Sequence, residues 1–337
     1  KGAVFIWMPA VLTFAMGWCM YSTVGWRGLR QLFEYLLIFI IVSCLFGIVS
    51  QYLMKIGFVS ESLHQRSIAY VGGRPFETYT INNPISARFT SLYSHPIVCA
   101  QFMIIGLVLT WRLVDKPVIK SAMTVLLLLC LIATQTRGAW LVTALFLMHI
   151  VFSRLIVVRI PKAVIIMGPF VMSGIIILAL NTGLADFIIR RFSELQTGIS
   201  YTQRAGAIEY LVRDMMSSPL NALFGFGAVS ASRKMGMTTI LAEDWNVVDN
   251  GFVSLAYDYG TLFTITLIII IIIITIPHLR RDINEDGRIA ALIGPILSVI
   301  NMMFYDVVTW PICNFWLFII LGFLASANIP KTNSRAT

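Results

Sequence analysis

Charge is scarce in this sequence. Asp, Glu, Lys and Arg supply 12% of its 337 residues, whereas 58% are hydrophobic. That charged share is about half of what an ordinary soluble domain carries, which excludes one. The five cysteines, Cys19, Cys44, Cys99, Cys130 and Cys313, form no CxxC and pair with no histidine, so neither a disulfide framework nor a zinc site is expected. They fall in or at the edge of apolar stretches, where a small buried thiol is ordinary. Carboxylates do not cluster, and no metal or other cofactor is expected. There is no internal repeat of the kind alternating-access transporters show. No charged region precedes the apolar stretch that follows Lys1, so that stretch does not read as a secretory signal peptide, and any preceding spans would alter only the span count.

What the sequence does have is long apolar runs separated by short polar breaks. A helix crosses a hydrocarbon core with roughly 20 mostly apolar residues. Nine spans are expected, near 3–23, 32–54, 95–113, 121–135, 139–153, 163–181, 251–276, 289–305 and 309–327. The fold class is therefore all-α: a polytopic membrane helix bundle, one transmembrane domain over 1–337. The runs 121–135 and 139–153 read as a hairpin closed by Thr134-Gln135-Thr136-Arg137-Gly138. The seven isoleucines Ile268 to Ile274 read as a lipid-facing helix, since lipid leaves backbone groups only internal partners.

Short loops rich in Lys and Arg stay on the cytoplasmic side. Arg27, Arg30, Arg112, Lys116, Lys120, Arg154, Arg159, Lys162, Arg280, Arg281, Arg288, Lys331 and Arg335 all fall in one alternating set of connections, thirteen in number. The other set is external and includes two long loops, about 55–94 and 182–250. Those loops hold ten basic residues, among them Arg88, Arg204 and Arg213, to which the charge rule does not apply. Headgroup contact explains some of them, and an anionic ligand is expected for a subset.

In the second loop, Ile208, Leu211, Val212, Met215 and Met216 have the spacing of one helix face, ended by Pro219, and the helix is expected to lie on the membrane. Glu209 and Arg213 make an ordinary i,i+4 pair. Arg204 is in register with the apolar face, where a guanidinium requires an anionic partner. Gly225-Phe226-Gly227 reads as a turn. Asp249-Asn250-Gly251 reads as an N-cap signal, compatible with a chemical role as well. Asp258 lies about two turns further on and Asp306 at the end of another span, at depths where a carboxylate is expected to have a polar partner.

In their order, these motifs resemble the O-antigen ligase and polysaccharide polymerase superfamily, often called Wzy-type proteins. The likeness covers about 85–265. Arg88-Phe89-Thr90-Ser91-Leu92-Tyr93-Ser94-His95-Pro96 is similar to that family's Arg-x-x-Gly-x-x-x-x-Pro, with Ser91 at the glycine. Thr134-Gln135-Thr136-Arg137-Gly138-Ala139 is similar to its Ser-x-Ser-Arg-Gly-Ala hairpin, with threonines for serines. Where ligases carry a histidine before an asparagine, this sequence has Asp249-Asn250, as exopolysaccharide and capsule polymerases of the group do.

The resemblance implies glycan transfer from a polyprenyl pyrophosphate carrier to a sugar hydroxyl at the outer face of the bacterial cytoplasmic membrane. It implies Arg137 and Arg204 as stabilisers of the leaving pyrophosphate, Asp249 as general base, and Arg88, His95, Arg213, Asn250 and Asp258 as substrate-binding residues. His95 is the alternative base. The implied partners are the lipid-linked donor, the glycan acceptor, membrane lipids and a chain-length regulator, with no nucleic acid. An O-antigen ligase acting on lipid A core, and a flippase of lipid-linked oligosaccharide, are the rival readings.

Overall fold

The computed structural model describes residues 2–55, 89–93, 95–145, 199–236, 248, 250–279, 284–308 and 310–329. About 85% of this is helical, and no strand occurs among the described residues. The helices are α1 (Gly2–Lys55), α2 (Pro96–Leu113), α3 (Pro117–Ala133), α4 (137–145), α5 (Ile199–Ser217), α6 (Pro219–Phe224), α7 (Ser230–Gly236), α8 (Gly251–Tyr259) and α9 (Thr261–Thr275). A 3-10 turn, Ile276–Leu279, ends α9. Then come α10, built from Glu285–Ala291, a π turn Leu292–Ile296 and Leu297–Asn301, and α11 (Pro311–Ala327). Proline stands in the first turn of α2, α3, α6 and α11, where its missing N–H costs nothing.

Three stretches among the described residues are long and apolar enough to cross a membrane: Trp7–Ser50, Pro96–Leu113 and Thr261–Leu279. Pro117–Ala133 and Pro311–Ala327 are shorter apolar helices. Helix α1, of which Trp7–Ser50 is part, covers two of the expected spans, 3–23 and 32–54. They are separated at Gly25, whose backbone (φ 58°, ψ −154°) is non-helical. The expected span 163–181 lies outside the described residues, as does most of 139–153.

Two expectations are corrected. The stretch 251–276 is two helices, because Gly260 (φ 94°, ψ 155°) breaks it after Tyr259. The stretch 289–305 is interrupted by a π turn at Pro295, which cannot donate an i→i−4 bond, and its helix stops at Asn301.

Helix α2 is the axis of the bundle, with every residue from Pro96 to Thr110 buried. The second arm of α1 packs on it with Leu29, Phe33, Leu37, Ile40 and Cys44, spaced three to four apart. The first arm crosses α11 with backbones in contact: a Cβ at Gly17 would collide with the Ile319 carbonyl, and one at Gly322 with that of Phe14. Small residues at a crossing are how helices pack closely in lipid, where dispersion has to supply what water would otherwise drive. On the bundle's outside, Ile38, Val42, Val49, Ile265, Ile269 and Ile273 are exposed. So large an apolar surface is unsuited to water, and it fits the lipid-facing reading of Ile268 to Ile274.

Helix ends gather at two poles. At one, Arg112 pairs with Glu285 at 2.7 Å and Trp26 lies edge-on to His278 at 5.9 Å. Asn328 donates to Ile274 O at the same end, at 3.1 Å. Arg27, Arg30 and Arg288 stand beside these contacts in the chain. The opposite pole collects the starts of α2, α4, α8 and α11 and the ends of α3 and α10.

Around α8 a second, smaller core forms from Ala207, Leu211 and Met215 of α5, Ala231 and Met235 of α7, Val248 and Tyr257. The expectation that α5 lies with its apolar stripe on the membrane is corrected accordingly. Positions 207, 211 and 215 face protein, and only the neighbouring Val212 and Met216 are left exposed.

Candidate functional site

The opposite pole is organised by the turn 302–308 and by Trp310. Gly138 sits against the Phe304 ring so closely that a Cβ would clash with it. Gly251 N donates to Met302 O at 2.8 Å, and Ser254 Oγ donates to Asp306 Oδ2 at 2.7 Å. Trp310 lies on the His95 ring, centroids 4.9 Å apart. One short segment thus ties together the hairpin carrying Arg137, the entry of α8 at Asn250 and the entry of α2 at His95.

Each entry is built locally. In the hairpin, Gln135 takes φ 55°, and Thr134 Oγ1 donates to Leu131 O at 2.7 Å. Trp140 Nε1 also donates to Leu131 O, at 3.1 Å. Thr136 O accepts from Trp140 N, so Thr136 precedes α4 as its cap and places half-buried Arg137 in the first turn. Asn250 caps α8, with Oδ1 accepting from Val253 N at 3.0 Å and Nδ2 donating to Met303 O at 3.5 Å. His95 caps α2, with Nδ1 accepting from Ile97 N at 3.1 Å. That bond puts the ring proton on Nε2, so the nitrogen able to take a proton is already engaged. His95 is thus placed to cap and orient.

Asp258, 6% exposed, has its partners within the chain: Oδ2 accepts from Val229 N at 2.9 Å and Oδ1 from Ala231 N at 2.7 Å. It therefore caps the start of α7. Helix α8 lies outside the Thr261–Leu279 span. Burial raises the Asp258 carboxyl above its ordinary range, and the N–H groups of Ala231, Val229 and Ser230 oppose that shift. Asp258→Ala leaves the buried Ala231 N–H without its acceptor, at about 1–3 kcal/mol, and the part-buried Val229 N–H to find water. Trypsin should then cut faster after Arg233 and Lys234 while the apolar bundle stays resistant, and an unchanged cleavage rate would count against the cap.

Arg213 is exposed and pairs with Glu209 at 2.6 Å, the expected helix pair. Arg204 lies on α5, one turn before Ile208. Arg88 and Asp249 are outside the described residues.

Several partners were not foreseen. Tyr257 OH donates to Asp214 Oδ2 at 2.5 Å, and Lys234 Nζ lies 3.2 Å from the same oxygen. Burial, then Asp214, pushes the Tyr257 phenol well above its ordinary range. Phe226 stacks on the Tyr257 ring at 4.4 Å, and its N–H donates to Tyr257 O. These bonds join residues 20 to 43 positions apart, beyond the reach of any local motif.

Between α5, α8 and α9 lies a cavity of about 290 Å³ lined almost wholly by apolar atoms, including Val212, Met215, Phe252, Ala256, Thr264 and Ile268. Among the described residues no group of three His, Cys, Asp or Glu could hold a metal ion. The pole holds half-buried Arg137 and the buried Ser254–Asp306 pair, and the apolar recess runs from the start of α8 along α9. A scan against protein-family models finds no match for this chain, and a search of curated proteins finds none either.

Proposed function

We propose that this chain is a multi-pass membrane glycosyltransferase. In this reading it polymerises polyprenyl-pyrophosphate-linked repeat units into O-antigen, capsule or exopolysaccharide at the outer face of the cytoplasmic membrane. The observation that carries the reading is the turn 302–308 with Trp310, against which the Arg137 hairpin, the Asn250 cap and the His95 cap gather at one pole. These are the places where the sequence resembles the polymerase and ligase superfamily, and 113 residues separate Arg137 from Asn250.

The chemistry is consistent with those parts. A donor that is greasy at one end and doubly phosphorylated at the other needs apolar surface beside cations, and the recess between α5, α8 and α9 supplies the first. Arg137 and Arg204 supply the planar donors that suit phosphate oxygens and hold the charge that grows as the glycosyl bond breaks. The acceptor hydroxyl loses its proton to a carboxylate, for which Asp249 is the candidate. Arg88, Arg213 and Asn250 remain candidates for holding the glycan or the phosphates.

The test is a transfer assay with purified protein in liposomes, a defined lipid-linked repeat and EDTA. Longer carrier-linked chains should appear. Glycosylation of added lipid A core with no chain growth would favour the ligase reading, and no product with either acceptor would sink glycan transfer.

A further inference from the structure

Helix α6 and Met216, in the last turn of α5, carry an exposed apolar stripe for which glycan transfer has no use. Met216, Leu220, Leu223 and Phe224 are 79%, 72%, 49% and 66% exposed. Leu220, Leu223 and Phe224, three and four apart, share one side of α6, and Met216 precedes them at the end of α5, before the non-helical Ser218. No Asp, Glu, Lys or Arg occurs from Ser217 to Ser232. Apolar groups packed this densely on a surface mark an interaction site.

The neighbour of this stripe decides its occupant. Thr261 Oγ1 donates to Ala222 O at 2.9 Å, and the backbone of Leu223 lies directly against Gly260. Helix α6 is thereby fixed beside the first turn of α9, the apolar helix whose Leu262, Ile265 and Ile269 are 55%, 55% and 49% exposed. The apolar surface of α6 continues into that of α9 at its end. Polar Ser217, Ser218 and Asn221 interrupt the stripe, and charged Arg213-Asp214 and Arg233-Lys234 flank it in the chain. An apolar face with a polar edge, continuous with an apolar membrane-length helix, is the pattern of a helix lying in the headgroup and acyl boundary.

We infer that Met216 and α6 form a membrane-interface anchor that seats the α5–α7 unit in the bilayer leaflet at the α9 entry. The inference requires that α9 lie in a membrane and does not require glycan transfer. It moves the lipid contact from the middle of α5 to its last turn and α6, since Ala207, Leu211 and Met215 are taken up by the small core around Tyr257.

The experiment uses the full chain in phosphatidylethanolamine and phosphatidylglycerol vesicles. Cys19 is exposed and is replaced in a Cys19→Ser background; the other four cysteines are buried. An environment-sensitive fluorophore is attached at Leu220→Cys, Phe224→Cys or Met216→Cys, with Glu209→Cys as the reference on the charged face. Doxyl-labelled lipids should quench the three stripe positions several-fold more than position 209, and iodide should show the reverse order. Equal iodide quenching at all four positions would place the stripe in water. Protection of the stripe from both quenchers would mean that protein covers it. Either outcome overturns the inference, and neither depends on whether the chain transfers glycan.

Discussion

Arg137→Ala should lower glycan transfer by about 100-fold to 1,000-fold, the range seen when one fixed donor to developing negative charge is removed. The measurement is transfer in vesicles supplied with the lipid-linked donor, alongside a check that the variant inserts and resists protease like the parent. Insertion should be retained because the turn has other ties. Thr134 Oγ1 and Trp140 Nε1 both bond to Leu131 O, Phe89 N bonds to Ala133 O, and Gly138 stays packed on Phe304.

The Arg137→Lys variant sharpens the result. Lysine restores the charge as a point and loses the planar fork, so it should recover part of the activity if the ligand is a phosphate held at two oxygens. Full recovery would point to a generic electrostatic role. Unchanged transfer in Arg137→Ala would remove the pyrophosphate clamp from the mechanism.

Helix content was legible because lipid leaves the backbone no other partners, and runs as long as Trp7–Ser50 leave little choice. The caps were legible too: Asn250 caps α8 as Asp249-Asn250-Gly251 suggested, and Glu209 with Arg213 needed only helical spacing. What escaped was everything set by a distant partner. The stripe of Leu211 and Met215 would look the same whether it faced lipid or Tyr257. Asp258 was expected to have a polar partner, but the partner is backbone 27 and 29 residues earlier. The hub role of 302–308 and Trp310 arises from contacts to three helix entries that no local spacing encodes.

The glycine at 260 shows the same limit and has the largest expected structural effect. In sequence it is one of 23 glycines, inside what reads as a single span. In the structure Gly260 and Gly225 both adopt φ near 90° with ψ near 160°, a region open essentially to glycine alone. A Cβ at Gly260 would collide with the Leu223 carbonyl, and one at Gly225 with backbone atoms of Asp258 and Tyr259. This double approach lets Phe226 N and Gly227 N reach Tyr257 O and Asp258 O, both at 2.9 Å, which docks the α6–α7 segment on α8. Gly260→Ala should therefore cost about 1–3 kcal/mol in backbone strain and a further ~1–3 kcal/mol in overpacking against atoms that cannot rotate away. A continuous helix through 260 relieves both, but only by detaching α6 and α7. The expected result is normal membrane insertion with rapid trypsin cleavage after Arg233 and Lys234, and loss of transfer comparable to that of Arg137→Ala. If Gly260→Ala keeps parental protease resistance and transfer, the break in this helix is not what holds the site together.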